Sequence, residues 1–279
     1  MKKFNYGITE IYLENIKIEE RIPLYKKVGF DFLSIDWGED LQDNLYQIRL
    51  AKECGLKIDD LHLDYKNAND IWLYPENSYK DYIKKSIDDI SKIEGIGKNV
   101  IIHISKSDNP PTFSLLGAKT FMELNYYAKQ KGVTLCFENL KRPDYLKKLI
   151  TLSKKDFIEN GVDINKNIIG LKNFKICLDV GHANLYMNDY FDFIKEFKNN
   201  IITTHLHDNS GKEDSHLSLY SGNINWPKTI STIKKTSAKS LHLEIFPSSI
   251  SLTKEQFEQY LYDNLTALKN LKKQRNVKF

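Results

Sequence analysis

The sequence predicts an α/β protein that folds as a single (β/α)8 barrel of the TIM type. Short β-rich apolar runs alternate with helical patterns along the whole chain, and the strand-helix units count to eight. The length of 279 residues suits such a barrel, which typically needs about 250 residues. No Pro-, Gly- or Ser-rich linker and no shift in composition divides the chain, so we expect one domain over residues 1–279.

The expected strands are short apolar runs rich in β-branched residues. They cover 4–9, 32–37, 57–65, 99–105, 134–140, 174–182, 201–209 and 240–246. Between them, apolar residues recur at steps of three and four residues, which predicts helices, and several of these segments end in Gly just before the next strand. A doubly wound open sheet is the alternative, but no Gly-rich phosphate loop follows the first strand to support it.

Composition and charge exclude several classes of protein. The net charge of +4 is a mild basic balance, far below a nucleic-acid-binding signature, although contact with phosphates stays open. No run approaches the roughly 18 apolar residues of a membrane span, and no apolar signal segment follows Met1, so we expect a cytoplasmic protein with no membrane partner. The 3 cysteines lack CxxC spacing, so any metal must be held by His, Asp and Glu.

Metal-capable side chains stand near the ends of six consecutive predicted strands, the third to the eighth. They are His62, His103, Glu138, Asp179, His205 and Glu244. In a barrel, the carboxyl ends of the strands converge on one mouth, where active sites are built. Carboxylates that converge there repel each other unless a cation or a proton lies between them. We therefore expect a bound divalent ion, and the donor types suit Zn, Mn, Co or Fe(II).

Further candidate ligands follow the sixth and seventh strands. Asp214 and His216, two residues apart, are placed to chelate a metal from a loop, and His182 to do so from the loop after Asp179; a solvated loop is the alternative for the first two. His207 and His242 point inward by strand period. We interpret both as supporting residues or as core histidines rather than as ligands.

The motifs in this part of the chain resemble a known family. "LHLDY", "VIIHIS", "LCFENLKRPDY", "CLDVGHAN", "HLHDNSGKEDSHL", "GNINW" and "LHLEIF" look, in order, like the successive motifs of the xylose isomerase-like TIM-barrel superfamily. That superfamily groups sugar and sugar-phosphate isomerases and epimerases with AP endonucleases of the endonuclease IV type. The resemblance covers nearly the whole chain, and it is strongest over strands three to eight.

The isomerase and epimerase members imply one divalent ion held by Glu138, Asp179, His205 and Glu244. The substrate would be a small sugar or sugar phosphate, and the ion, Zn, Mn or Co, would bind two of its oxygens and stabilise an enediolate. Glu138 and Glu244 would remove and return the carbon-bound proton from opposite sides. A role in carbohydrate metabolism follows, and a homo-oligomer is compatible with it.

Substrate contacts are expected from residues around the same mouth. His182, Arg142 and Lys212 are our candidates for holding hydroxyls or a phosphate, while exposed Arg and Lys side chains are more often solvated surface. The apolar wall of the pocket is expected from Trp37, Trp72 or Phe246.

The endonuclease IV members imply the alternative function, cleavage of DNA phosphodiesters by a multinuclear zinc site. Their nine ligands for three zinc ions all have a matching residue here: His62, His103, Glu138, Asp179, His182, His205, Asp214, His216 and Glu244. Nucleic acid is a partner under this reading alone, with Tyr65 as a candidate wedge into the duplex. The acidic "GEDLQDN" after the second strand and the scarcity of Arg favour the isomerase or epimerase. A dehydratase, a lyase and a non-catalytic metal-binding protein stay open.

Overall fold

A computed structural model of the chain describes residues 3–106, 109–163 and 174–271. Within them, eight parallel strands pair in sequence order and close into a barrel, which confirms the predicted fold class. The strands are β1 (Asn5–Thr9), β2 (Phe32–Trp37), β3 (Lys57–Leu63), β4 (Asn99–His103), β5 (Thr134–Glu138), β6 (Lys175–Asp179), β7 (Ile201–Leu206) and β8 (Ser240–Leu243).

Helices surround the barrel and connect successive strands. They are α1 (Ile18–Val28), α2 (Leu41–Glu53), α3 (Asp70–Leu73), α4 (Ser78–Lys92), α5 (Leu115–Gln130), α6 (Pro143–Thr151), α7 (Lys154–Glu159), α8 (Val180–Tyr186), α9 (Tyr190–Glu196), α10 (Trp226–Ile233) and α11 (Lys254–Asn270). Among the helices of the described ranges, none has the length and apolar character that a membrane span requires.

The helices pack on the strands through one apolar face each. In α4, for example, Ile83, Ile87 and Ile90 recur at steps of four and three residues, and all are fully buried. Burial of an isoleucine side chain contributes about 1.5–3 kcal/mol relative to exposure. At the start of α4, the side chain of Asn77 accepts a hydrogen bond from the backbone N–H of Lys80 and so caps the first turn. The apolar period and this cap together fix where the helix begins and which face it buries.

From the third strand to the eighth, the predicted strands extend two or three residues past the observed ends. The correction matters most at β6, which was predicted to run to His182 but ends at Asp179. The carboxylate of Asp179 accepts a hydrogen bond from the His182 backbone N–H and caps α8. His182 therefore lies in the first turn of a helix rather than in a loop, and its position is fixed by the preceding strand.

Candidate functional site

A cavity of about 550 Å³ opens at the carboxyl end of the barrel. Seven of the predicted metal-ligating residues line it: His62, His103, Glu138, His182, Asp214, His216 and Glu244. The other two, Asp179 and His205, are fully buried; Asp179 lies against His182, and His205 lies against Glu138 and Glu244. The structure thus brings all nine predicted ligand residues to one place.

Glu138, the last residue of β5, is surrounded by histidines. Its Oε2 atom lies 3.2 Å from His62 Nε2, 3.3 Å from His205 Nδ1 and 3.5 Å from His103 Nε2. Its Oε1 atom lies 3.0 Å from His182 Nδ1. These four imidazoles come from β3, β4, β7 and α8. One carboxylate therefore joins side chains from elements that are far apart in the sequence.

Asp179, at the end of β6, is held rigidly by its neighbours. The Asn139 side-chain amide donates a hydrogen bond to the Asp179 carbonyl at 2.8 Å and accepts one from the Asp179 N–H at 2.9 Å. The Oδ1 atom of Asp179 lies 3.1 Å from His207 Nε2. The Oδ2 atom is buried and has no hydrogen-bond partner in the described part of the chain. This free oxygen faces His205 Nδ1 at 3.9 Å.

The loop between β7 and α10 contributes two further residues, Asp214 and His216, to the cavity. Asp214 Oδ2 lies 2.9 Å from His182 Nε2 and 3.5 Å from His216 Nε2. The backbone of His216 has a positive φ of 43°, an uncommon conformation for a residue with a Cβ. Its Nδ1 atom is 2.9 Å from the carbonyl of Glu244. Asp214, one of the two ligands predicted on this loop, thus contacts α8, and His216, the other, contacts the residue that follows β8.

His207, predicted from the sequence as a supporting or core histidine, lies in this part of the site as well. Its Nε2 atom contacts Asp179, and it also lies 3.7 Å from Asp214 Oδ1. Its ring stacks on that of His216 with centroids 3.9 Å apart. The signal was present in the two-residue spacing from His205, since both rings point inward.

The ligand atoms form several groups that are compact enough to surround an ion. Within each group, the atoms lie within 4.8 Å of one another. Three such groups are His62, His103 and Glu138; His62, His205 and Glu244; and His182, His207, Asp214 and His216. Nitrogen and oxygen donors of this kind are typical ligands of Zn, Mn and Co.

Unpartnered atoms test whether these residues fit an ion. In the described ranges, both ring nitrogens of His205, His103 Nδ1, His207 Nδ1 and Asp179 Oδ2 are buried without a hydrogen bond. Buried polar atoms are nearly always paired, since an unpaired one costs about 1–3 kcal/mol. Nitrogen and oxygen atoms that have no hydrogen bond and lie beside carboxylates are suited to act as ligands of a metal ion. The residues therefore fit a divalent ion.

The protonation of the cluster follows from its crowded charges. Burial by itself favours neutral groups, yet the Asp179 carboxylate raises the pKa of His182 well above the ordinary value. Cys177, together with the carboxylates of Glu244 and Glu138, does the same to the pKa of His205. Burial likewise opposes ionisation of Glu138 and Glu244, but the adjacent imidazoles hold the pKa of both carboxyls well below the usual range. In the metal-free protein the two glutamates are therefore ionised at neutral pH.

The predicted substrate contacts Arg142 and Lys212 belong to none of the ligand groups described above. The Arg142 Nε atom donates to Asp144 Oδ1 at 2.9 Å, and the guanidinium lies over the ring of Tyr145. Lys212 is exposed on the loop after β7. Neither is among the described residues that line the cavity; the cation there is Lys66.

The aromatic wall is made by Trp37, Tyr65 and Phe246, which all line the cavity. Tyr65 stacks on His103 with ring centroids 4.0 Å apart. The expectation for Trp72 was wrong, because this residue is buried and its ring packs on Phe121. The sequence shows that Trp72 is aromatic, but it does not show that α3 directs this side chain into the core.

Comparisons with known proteins agree with this architecture. The uncharacterised protein MJ1614 of Methanocaldococcus jannaschii is 27% identical over 198 residues, which span 68% of this chain and 71% of that protein. A crystal structure of D-allulose 3-epimerase from Methylomonas sp. in complex with D-allulose has a TM-score of 0.69 at 16% identity, covering 97% of this chain and 98% of that one. A crystal structure of an AP endonuclease, family 2, from Brucella melitensis has a TM-score of 0.64 at 14% identity, covering 92% and 98%.

The sequence profile of one family matches most of the chain. The match covers residues 24–271, which include β2 to β8 and every residue of the ligand groups described above. The chain therefore belongs to the family described as xylose isomerase-like TIM barrel.

Proposed function

We propose that the protein is a divalent-metal-dependent isomerase or epimerase of a sugar or sugar phosphate, with Glu138 and Glu244 as its acid and base. One observation carries this proposal. Both carboxylates border the same cavity, and both lie beside the same imidazole nitrogen, His205 Nδ1, at 3.3 Å and 3.2 Å. Two bases that share one cavity can act on the two sides of one substrate carbon.

The electrostatics suit proton transfer. Because the pKa of each glutamate is lowered, both carboxylates are ionised and able to accept a proton. One glutamate removes the carbon-bound proton and leaves an enediolate. The other carboxylate takes up a proton from solvent and delivers it to the enediolate carbon. Return to the opposite face of the same carbon inverts its configuration, and return to the neighbouring carbon moves the carbonyl group.

The metal would be held by Glu138, Asp179, His205 and Glu244, where Asp179 Oδ2 and both ring nitrogens of His205 are buried without a hydrogen bond in the described part of the chain. A bound divalent ion would supply positive charge beside the sugar oxygens, where negative charge develops. The additional histidines and Asp214 provide donors for more than one ion.

The size and lining of the cavity support a small polyol. About 550 Å³ lies within the range of pockets that bind small molecules. Trp37 and Phe246 provide apolar surface for the C–H faces of a sugar ring or chain, while the His and carboxylate groups provide hydrogen bonds. The structural likeness to a D-allulose 3-epimerase is consistent with such a substrate.

Solvent proton exchange tests this function directly. The protein, loaded in turn with Mn²⁺, Co²⁺ or Zn²⁺, is incubated in deuterated water with a panel of ketoses, aldoses and their phosphates. Proton NMR should show deuterium at the carbon next to the carbonyl of at least one sugar, together with its epimer or isomer. Absence of exchange for every sugar and every metal would contradict the proposal.

A second candidate, cleavage of DNA at abasic sites, is favoured by the way the nine ligand residues gather at one mouth. The rim argues against it, because Asp36 and Asp64 line the cavity where phosphates would approach, and Lys66 is already paired with Glu39 at 3.2 Å. Incubation of the zinc-loaded protein with an abasic duplex distinguishes the two, since the proposed isomerase should leave the strand uncut.

A further inference from the structure

A second group of polar side chains lies inside the barrel, apart from the mouth. It contains Asp59 and Asp60 of β3 and His242 of β8. Asp60 and His242 are fully buried, and Asp59 is half-buried. The interior of such barrels is filled mostly by branched apolar side chains, so two carboxylates and an imidazole there need an explanation.

A bulge in β3 explains why neighbouring residues share one side. Two residues, Asp59 and Asp60, stand opposite Ser34 alone in the pairing of β3 with β2. In a regular strand, consecutive side chains point to opposite faces, whereas a bulge redirects one of them. The strand is thus shaped so that both carboxylates belong to one cluster.

Both carboxylates contact the far side of the barrel. Thr203 Oγ1 of β7 donates a hydrogen bond to Asp60 Oδ2 at 3.1 Å, and Ser240 Oγ of β8 donates one to Asp59 Oδ2 at 2.8 Å. Each hydroxyl is a neutral donor. These contacts orient the two carboxyl groups but supply no positive charge beside them.

The His242 ring is directed at this pair. Its Nδ1 atom lies 3.3 Å from Asp60 Oδ2, yet neither ring nitrogen has a hydrogen-bond partner in the described ranges. The Oδ1 atom of Asp60 is also buried without a partner. The ring is packed against β1, where a Cβ on Gly7 would lie 2.0 Å from it. Gly7 therefore provides the space that holds the imidazole in this orientation.

We propose that Asp59, Asp60 and His242 bind a divalent transition-metal ion inside the barrel, separately from the ions at the mouth. One ligand atom from each residue lies within 4.8 Å of the others. A separation of 3.3 Å between Nδ1 and Oδ2 matches two ligands of one tetrahedral ion with bonds of about 2.0–2.1 Å. The ion would balance the carboxylates and link β3 to β8, and the half-buried Asp59 gives it a route from solvent.

Zinc stoichiometry tests the proposal with matched variants. Asp60→Asn keeps the side-chain shape and removes the charge, and His242→Gln removes the imidazole. Elemental analysis after zinc loading and gel filtration should find about one zinc fewer per chain in each variant than in the wild type. Cys136→Ala is the control, because this thiol is buried in the same interior and burial raises its pKa, so it stays protonated; its zinc content should be unchanged.

A reciprocal variant covers the case in which an interior substitution prevents folding. In Asp179→Asn/Glu244→Gln, the mouth loses two anionic ligands, and zinc should still occupy the interior site. Anomalous scattering at the zinc edge should then place a peak between Asp60 and His242. An equal zinc content in the wild type and Asp60→Asn, or no peak there in zinc-loaded crystals, would overturn the proposal. A proton shared between Asp60 and His242 would then explain their contact without a metal ion.

Discussion

His205 Nδ1 lies 3.2 Å from Glu244 Oε2, with His205 on β7 and Glu244 directly after β8 at the same barrel end. The same nitrogen lies 3.3 Å from Glu138 Oε2. Since His205 is fully buried, its ring has little freedom to move, and it contacts both carboxylates through one nitrogen. The two proposed bases therefore meet at one imidazole.

The first prediction concerns the two glutamates. Glu138→Gln and Glu244→Gln each keep the side-chain shape but remove a proton acceptor, so each should lower turnover of the sugar that shows exchange by at least about 10²-fold. Steady-state kinetics with a metal-loaded protein provides the measurement. Glu39→Gln, on the exposed rim, is the matched control and should stay active. A fully active Glu244→Gln protein would rule out a scheme with two bases.

Much of this architecture was accessible from the sequence. The eight strands were predicted because their apolar runs are short and regularly spaced, and the ligand residues because His62, His103 and Glu138 each fall near the end of a predicted strand. Barrel geometry then brings such residues together whatever their distance in the chain. The converging positions of these side chains follow from topology alone.

Other features depend on packing and could not be predicted. The short helix α8 begins directly after β6, and seven residues are too few to establish a helical period. The bulge at Asp59 and Asp60 breaks the alternation on which strand faces are predicted. The burial of Trp72 is decided by aromatic neighbours from other helices, which no local pattern indicates.

The second prediction concerns proton release on metal binding. In the metal-free protein, burial disfavours the charged imidazoles, but Asp179 and Asp214 raise the pKa of His182 well above the ordinary value. Contact with Asp214 raises the pKa of His216 to about 9. Both are thus protonated at pH 7, whereas a metal binds neutral imidazole. Zinc titration of chelator-treated protein at pH 7 should release protons, and calorimetry in buffers of different ionisation enthalpy measures them. Uptake without proton release would contradict these protonation states.

The third prediction is the pH dependence of stability in the metal-free protein. The pKa of His216 is raised from 6.5 to about 9, because its contact with Asp214 outweighs burial. Its stabilisation is fully present below pH 6.5 and is lost as the pH rises through 9. The free energy of unfolding, measured by denaturant titration, should fall over this interval. The fall should be smaller in His216→Gln, and an identical slope in both proteins would exclude this ion pair as a cause.

The fourth prediction concerns Gly181, which lies in the first turn of α8 beneath His207. A Cβ at this position would lie 1.9 Å from the His207 ring, so the ring would have to move. That movement disrupts the 3.1 Å contact between His207 Nε2 and Asp179 Oδ1. Alanine favours a helix over glycine by about 1 kcal/mol, yet overpacking typically costs about 1–3 kcal/mol. Gly181→Ala should therefore lower the free energy of unfolding, and it should weaken zinc binding at the mouth.

A double-mutant cycle separates the steric effect from the helix effect. In a His207→Ala background the added methyl group no longer meets the imidazole ring, and the helix preference of alanine remains. Gly181→Ala should then be neutral or stabilising, which gives a coupling energy of about 1–3 kcal/mol between the two positions. Denaturant unfolding of the four proteins measures it. The same destabilisation in both backgrounds would show that the backbone at Gly181, and not the position of His207, requires glycine.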